Sequence, residues 1–337
     1  MLTKPDIADE LIVSRLQNEY DLHISTLTFL PLGADMGTAV YRVVAEDGTA
    51  YFLKLRRGFD EISVTVPLFL KSQGIKEIIA PFETKSKQGW ADFGEYKMIL
   101  YPFIEGKNGF ETELTDEQKR IFGAALKAIH SVQLPPELKK QIPQETYSPK
   151  FREQVKEFQR QVENMTYSGM NAVKLADFIK SKRDEIDRLI KRTEKLASGL
   201  QSQSHELVLC HTDIHGGNIL ITNNNQFHIV DWDAPLFAPK ERDLMFIGGG
   251  IDDIWKSKRD ESVFYEGYGK VNIDFTVMAY YRYERVIEDL AAYAEQLLST
   301  DEGGADREEA YRRFAGNFEA GQTIEIADNT YNLLKNS

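Results

Sequence analysis

Asp213, Asn218 and Asp231 are the residues of this chain whose types and spacing point most directly to chemistry. Carboxylate and amide oxygens are the ligands that a hard divalent cation such as Mg²⁺ prefers, and Mg²⁺ keeps room for phosphate oxygens because it takes few ligands from the protein. Phosphoryl transfer needs an Asp base, an Asn and an Asp on the metal, and a lysine on the phosphates. The pattern therefore predicts metal-assisted phosphoryl transfer.

A predicted β-hairpin positions these side chains. The apolar runs 219–222 and 227–230 flank an Asn-rich turn, a pattern typical of two antiparallel strands. Asn218 precedes the first strand and Asp231 follows the second, so we expect them to lie side by side at the open end of the hairpin. Asp213 precedes them across a glycine-containing loop. The alternative is a hairpin whose polar ends only make turns.

This stretch resembles the catalytic and metal-binding motifs of the aminoglycoside phosphotransferase family. The matching residues are the run His211-x-Asp213-x-x-x-x-Asn218 and the tripeptide Ile229-Val230-Asp231. The resemblance implies an α+β, two-lobed, protein-kinase-like fold with a small β-rich N-terminal lobe and a large, mainly helical C-terminal lobe. It also implies ATP and Mg²⁺ as cofactors, Asp213 as the catalytic base facing the acceptor, and Asn218 and Asp231 as metal ligands.

Further segments extend the resemblance over most of the chain. They include Phe52-Leu53-Lys54, Tyr101-Pro102-Phe103-Ile104 and Tyr265-Glu266-Gly267-Tyr268-Gly269. The implied function is transfer of the ATP γ-phosphoryl group to a hydroxyl of a cationic aminocyclitol or aminoglycoside antibiotic of the spectinomycin type, which would give antibiotic resistance. Two alternatives stay open: a metabolic kinase for choline, homoserine or a sugar amine, and an inactive binding protein that kept the fold.

Lys54 lies on the predicted strand 50–55, and the resemblance assigns it to the nucleotide phosphates. Without that resemblance it would be interpreted as a solvated strand lysine. In the family a helix glutamate positions this lysine. Glu61 is the candidate here, because residues 62–73 of the following predicted helix contain no other carboxylate.

The other candidates for nucleotide binding act through the backbone. Gly33 and Gly37 lie between two predicted strands, where backbone N–H groups could cover ATP phosphates. An ordinary turn would explain the two glycines equally well, and the phosphate-binding signature Gly-x-x-x-x-Gly-Lys-Ser/Thr is absent from the sequence. Pro102 and Ile104 belong to the connector whose backbone would meet adenine.

The motif departs from the family pattern at two positions. Thr212 stands where many members have glycine. Asp233 adds a carboxylate two residues after the predicted metal ligand, where protein kinases have glycine. Asp233 is a candidate second metal ligand or, with Asp213, a contact for a cationic substrate. His211 and His215 are interpreted as structural residues that brace the loop through hydrogen bonds.

The secondary-structure pattern changes along the chain. Residues 1–102 combine helix and strand patterns and form the predicted N-terminal nucleotide-binding lobe. Residues 103–109 form the predicted hinge, because glycine and asparagine favour a turn there. Residues 110–337 form the predicted C-terminal lobe, with the catalytic loop and the acceptor site. The main helical patterns in this lobe are 148–200, 273–298 and 306–334, interrupted by a β-rich interval at 207–233.

Composition limits the classes of protein that fit. The 337 residues are 42% hydrophobic and 28% charged, as in soluble globular proteins of about two domains. No run approaches the roughly 20 apolar residues of a membrane span, and the amino terminus has no secretion signal, so we expect a cytoplasmic protein. The formal charge of −12 disfavours nucleic-acid and anionic-membrane partners and favours a cationic ligand. The oligomeric state is not predicted.

Overall fold

The computed structural model describes residues 4–32, 37–249, 255, 257–300 and 306–335. The chain divides into two compact units, each built from two segments. Residues 1–143 and 211–236 form the first unit, and residues 144–210 and 237–337 form the second. The first unit thus contains both the strand of Lys54 and the hairpin of Asp231. The lobe boundaries at 102 and 110 stay a prediction.

The elements before residue 144 mix helices and strands. In chain order they are α1 (Asp9–Tyr20), β1 (Ile24–Leu30), β2 (Thr38–Ala45), β3 (Ala50–Arg56), α2 (Ile62–Ser72), β4 (Ala91–Phe93), β5 (Tyr96–Pro102), β6 (Gly106–Asn108), α3 (Asp116–Ser131) and α4 (Pro136–Gln141). The predicted strand 50–55 is confirmed as β3. The segment 103–109 differs from a plain hinge, because β6 lies within it and pairs with a later strand.

An antiparallel sheet with the strand order β1-β2-β3-β5-β4 forms the core of the first unit. Side chains alternate between the two faces of a strand. Leu53 and Leu55 of β3 are therefore buried in the core, where Ile12 and Leu16 of α1 pack with them. The same alternation places Lys54 and Arg56 together on the opposite face. The central strand of the sheet thus presents two cations side by side.

The elements after residue 144 are mainly helical. They are α5 (Lys150–Asn164), α6 (Met170–Ser181), α7 (Arg183–Gln201), β7 (Val208–Cys210), β8 (Ile219–Thr222), β9 (Phe227–Ile229), β10 (Leu236–Ala238), α8 (Glu241–Leu244), α9 (Lys258–Tyr268), α10 (Phe275–Leu298), α11 (Asp306–Gly316) and α12 (Thr323–Leu333). The helical pattern at 306–334 forms two helices, since the chain turns at Gly321, whose φ of 76° suits glycine. None of the described helices has the length and hydropathy of a membrane-spanning segment.

The predicted hairpin is confirmed. Strands β8 and β9 pair antiparallel, with Ile219 opposite Ile229 and Ile221 opposite Phe227, and these four side chains are buried. Asn225 in the connecting turn has a φ of 63°, a left-handed conformation that asparagine tolerates better than most residues. Strand β6 pairs with the other edge of β8. The apolar face of the hairpin thereby fixes the strand ends that carry the candidate site.

In the second unit, α10 packs against α5, α7, α11 and α12. The buried guanidinium of Arg152 lies 3.4 Å from the Glu284 carboxylate and donates hydrogen bonds to the carbonyl oxygens of Tyr147 and Ser148. Burial raises the pKa of Glu284 from 4.5 to about 7, although the positive charge of Arg152 opposes the rise. The folded chain therefore binds a proton at Glu284 more tightly than the unfolded chain does.

The raised pKa of Glu284 predicts a pH dependence of stability. Since the folded-state pKa is the higher one, the stabilising proton is present below about pH 4.5 and is lost as the pH rises through about 7. Glu284→Gln removes this titration and keeps the shape. We expect the free energy of unfolding in urea to rise in the variant, relative to wild type, by on the order of 3 kcal/mol when the pH is raised from 5 to 8. Glu295→Gln, at an exposed position of α10, is the control. The same difference at both pH values would contradict the prediction.

Candidate active site

Strand β3 sets the position of Lys54, which lies opposite Val40 of β2 and Ile99 of β5. Its Nζ donates to Asp231 Oδ1 at 2.9 Å and to both carboxylate oxygens of Asp233, at 3.0 and 3.1 Å. The Lys54 side chain is only 13% exposed. The structure thus brings the predicted phosphate lysine to a predicted metal ligand 177 positions away in the chain.

Asp231 follows β9 after one intervening residue, Val230, so it lies at the end of the hairpin predicted for it. The backbone N–H of Val230 donates to the carbonyl oxygen of Asn218 at 3.0 Å, so the backbone of the hairpin holds the two predicted metal ligands at the same end. Asp231 has a φ of 65°, which is uncommon for a residue other than glycine. Strained backbone of this kind persists where the surroundings fix it, and it is enriched at functional sites.

Asp213 and Asn218 contact each other directly. The Asn218 side-chain nitrogen donates to the Asp213 carbonyl oxygen at 2.8 Å and lies 3.4 Å from its carboxylate. Because the amide nitrogen makes these contacts, the amide oxygen is the atom through which Asn218 could ligate a cation. The Asp213 side chain is 42% exposed, as a group that meets a substrate must be.

The two histidines brace this loop, as predicted. His211 accepts from the Asp213 N–H at Nδ1, at 3.3 Å, and therefore donates from Nε2 to the carbonyl oxygen of Val230, at 2.9 Å. His215 accepts from the Gly217 N–H at Nδ1, at 3.0 Å, which leaves its Nε2 facing the Asp213 carboxylate at 3.4 Å. Both rings thus fix the backbone or the side chain of the predicted base.

Thr212 has a φ of 77°, an outlier for a β-branched residue. Its side-chain hydroxyl donates to the carbonyl oxygen of Ala234 at 3.0 Å. The hydrogen bond ties the loop of Asp213 to the segment that follows Asp231. Thr212 therefore takes the backbone conformation that would suit the glycine of many family members and adds a contact that glycine lacks.

Electrostatics favour the charged forms of Lys54 and Asp231. Burial alone would lower the pKa of Lys54, but the Asp231 and Asp233 carboxylates outweigh it and the pKa is raised. Partial burial would likewise raise the pKa of Asp231, but the charge and hydrogen bond of Lys54 outweigh it and the pKa is lowered. On the neighbouring strand, burial and the same two carboxylates raise the pKa of Tyr101.

Arg56 is a site residue that the sequence analysis missed. Its guanidinium forms an ion pair with Asp233, and its side chain is 16% exposed. The sequence feature that could have indicated Arg56 is its position two residues after Lys54, on the same face of β3. Asp233 was expected to be a second metal ligand or a contact for a cationic substrate. In the structure its carboxylate contacts Lys54 and Arg56, and both expected roles stay predictions.

The structure does not bring Glu61 to Lys54. Glu61 is exposed and precedes α2, where its backbone carbonyl accepts from the N–H groups of Val64 and Thr65. The expectation that Glu61 positions Lys54 therefore has no contact to support it, and the carboxylates that contact Lys54 are those of Asp231 and Asp233.

Among the remaining nucleotide candidates, the described residues lie in strand β5 or beside strands of the first unit's sheet. Gly37 is described, and its carbonyl oxygen accepts from the Arg57 N–H at 2.9 Å, whereas Gly33 lies outside the described residues. Pro102 ends β5 opposite Tyr51, and Ile104 lies two residues beyond it. The adenine role of this connector stays a prediction.

The oxygen donors fit a hard divalent cation. A carboxylate on Asp231 and an amide oxygen on Asn218 are the donor types that suit Mg²⁺ rather than a soft metal. Lys54 beside them fits an anionic phosphate. The arrangement can therefore hold a metal-bound nucleotide on one side and present the Asp213 carboxylate to a hydroxyl.

Comparisons with known proteins identify the family of this chain. A profile of the phosphotransferase enzyme family, APH, matches residues 28–263. The crystal structure of spectinomycin phosphotransferase APH(9)-Ia with ADP and spectinomycin is 38% identical, with a TM-score of 0.90, covering 97% of this chain and 99% of that chain. Its AMP-bound complex is 36% identical, with a TM-score of 0.85 and coverage of 96% and 98%.

A curated relative is more distant. Protein StrN of Streptomyces griseus is 22% identical over 258 residues, which is 73% of this chain and 76% of StrN. The family match and the 38% identity nevertheless extend over most of the chain. This chain therefore belongs to the APH phosphotransferase family, with its α+β, kinase-like fold.

Proposed function

We propose that this phosphotransferase transfers the γ-phosphoryl group of ATP to a hydroxyl of a cationic aminocyclitol antibiotic of the spectinomycin type. One observation carries the proposal. Lys54 donates a hydrogen bond to the Asp231 carboxylate, and both residues lie in the same unit as Asp213 and Asn218, which are themselves hydrogen-bonded. The choice of acceptor rests on the similarity to a protein whose structure holds ADP and spectinomycin. Modification of such an antibiotic would confer resistance to it.

Lys54 and Asp213 have separate tasks in this reaction. Lys54 holds phosphate oxygens of the nucleotide, since it is a protonated cation positioned within strand β3, which pairs with a strand on each side. Asp213 orients the acceptor hydroxyl and takes its proton. The acceptor oxygen then forms a bond to the γ-phosphorus as the bond to the leaving oxygen of ADP breaks.

Asn218 and Asp231 are the residues that would hold Mg²⁺. When bound, the cation neutralises charge on the phosphate oxygens. The hydrogen bond from the Val230 N–H to the Asn218 carbonyl oxygen keeps these two candidate metal ligands at the same end of the hairpin. His211 and His215 hold the Asp213 loop in the conformation that the transfer needs.

An acceptor panel tests the proposed function. Purified protein is incubated with Mg-ATP and spectinomycin, other aminoglycosides, choline, ethanolamine, homoserine and galactosamine, and the products are weighed by mass spectrometry. We expect a singly phosphorylated aminocyclitol. A product from choline, homoserine or the sugar amine alone would instead indicate a metabolic kinase. ADP binding without any phosphorylated product would contradict the proposal and indicate a binding protein.

A further inference from the structure

Four charged side chains meet at the candidate site of the first unit. Lys54 contacts Asp231 and both carboxylate oxygens of Asp233, and Arg56 pairs with Asp233. We call these residues the charge cluster. Its two positive charges, on Lys54 and Arg56, equal its two negative charges, on Asp231 and Asp233.

The carboxylate of Asp233 lies between the two cations of β3. Lys54 and Arg56 are 13% and 16% exposed, and Asp233 is 34% exposed. Removing one partner from such a shielded group is costly, because the remaining charge keeps its desolvation penalty without compensation. Arg56 thus balances the carboxylate that this chain carries where protein kinases have glycine.

If Asp231 holds a metal, its carboxylate is shared between that cation and Lys54, whose Nζ contacts Asp231 Oδ1. Asp233 is then the carboxylate partner of Lys54 that the predicted metal site does not use. Asp233 makes two contacts to Nζ, which fix the direction of the side chain better than one contact does. Glu61, the other candidate for this task, is exposed at the start of α2.

We propose that Asp233, held by Arg56, is the positioning residue that aims Lys54 at the nucleotide phosphates. The inference rests on the proposed function and deepens it, since it assigns Asp233 to the nucleotide and away from the acceptor. Lys54 keeps its position through Asp233 while Asp231 serves the metal. Arg56 acts on the phosphates only through this carboxylate.

Binding of Mg-ADP in the absence of an acceptor tests the proposal, because the metal then engages Asp231 and Asp233 is the partner left to aim Lys54. Lys54→Met is made in the wild-type chain and in the Asp233→Asn chain, and affinity is measured by calorimetry. We expect Lys54→Met to weaken Mg-ADP binding about tenfold in wild type and less than about twofold in Asp233→Asn, because an unaimed lysine contributes little. An equal loss in both backgrounds would overturn the proposal.

Kinetics supply a second readout. We expect Asp233→Asn and Arg56→Met each to lower kcat roughly tenfold, with the KM of the acceptor unchanged, and the double variant to be no slower than either, since the two residues act as a unit. Asp233→Glu should restore part of the rate. Arg57→Met is the matched control, because Arg57 is exposed and pairs with Glu95. Additive losses, or a raised acceptor KM, would overturn the proposal.

These experiments distinguish a failure of the proposed function from a failure of the role assigned to Asp233. If wild-type protein bound no ADP, the proposed function would fail and the inference with it. If ADP bound but the effect of Lys54→Met did not depend on Asp233, only the role of Asp233 would fail. Thermal melting of each variant confirms that it is folded, and Arg56→Lys serves where Arg56→Met does not fold.

Discussion

Asp213→Ala lowers kcat by roughly 10²–10⁴-fold, which is the usual contribution of a positioned general base. ATP affinity changes little, because the proposed partner of the Asp213 carboxylate is the acceptor and not the nucleotide. The physical reason is the loop geometry, in which Asn218 and His215 hold the Asp213 side chain while it stays 42% exposed. Steady-state kinetics and nucleotide calorimetry measure the two effects separately.

Asp213→Asn is the companion variant for this test. It keeps the size of the side chain and removes its basicity, so it should be nearly as slow as Asp213→Ala. Asp92→Asn, at an exposed position of β4, is the control for loss of a carboxylate elsewhere in the same unit. Retention of more than about half of the wild-type rate by Asp213→Ala would contradict the role of base, given the factor expected of one.

Chelation and Asp231→Asn each remove most of the turnover. Activity is lost in EDTA and returns with Mg²⁺, and Asp231→Asn lowers kcat by at least roughly 10²-fold, because a bound metal contributes several kcal/mol to charge stabilisation. The variant also binds Mg-ADP more weakly, since the metal joins the protein to the phosphates. Coupled ADP-release assays and calorimetry with and without Mg²⁺ are the measurements.

Metal-free binding provides the control for Asp231. In EDTA the affinity of Asp231→Asn for ADP should not fall, because the carboxylate then has no metal to hold and its charge opposes the phosphates. Full activity of wild type in EDTA would exclude the metal role of Asn218 and Asp231. An equal loss of ADP affinity with and without Mg²⁺ would show that Asp231 acts through Lys54 instead.

Local sequence patterns predicted the parts of the site that depend on short-range geometry. The hairpin follows from two apolar runs and an Asn-rich turn, so the shared end of Asn218 and Asp231 was predictable from spacing alone. The strand of Lys54 was predictable for the same reason. In both cases alternation or pairing over a few residues decides the structure.

The charge cluster was not predictable in this way. Asp233 and Arg56 are far apart in sequence, and their pairing depends on how the hairpin and the sheet meet within the first unit. The family pattern suggested Glu61 instead, but the start of α2 holds that residue away from Lys54. The positive φ of Thr212 was equally unpredictable, because threonine as a residue type does not indicate a left-handed conformation.

The first unit is assembled from two pieces of chain, and this affects the order of events during synthesis. Strand β3 leaves the ribosome early, whereas Asp231 and Asp233 follow only after residues 144–210 have been made. Until then Lys54 and Arg56 lack the carboxylates that compensate their burial. The nascent sheet must therefore keep that face hydrated. The face is buried only after the hairpin has been made, although amino-terminal segments generally fold first.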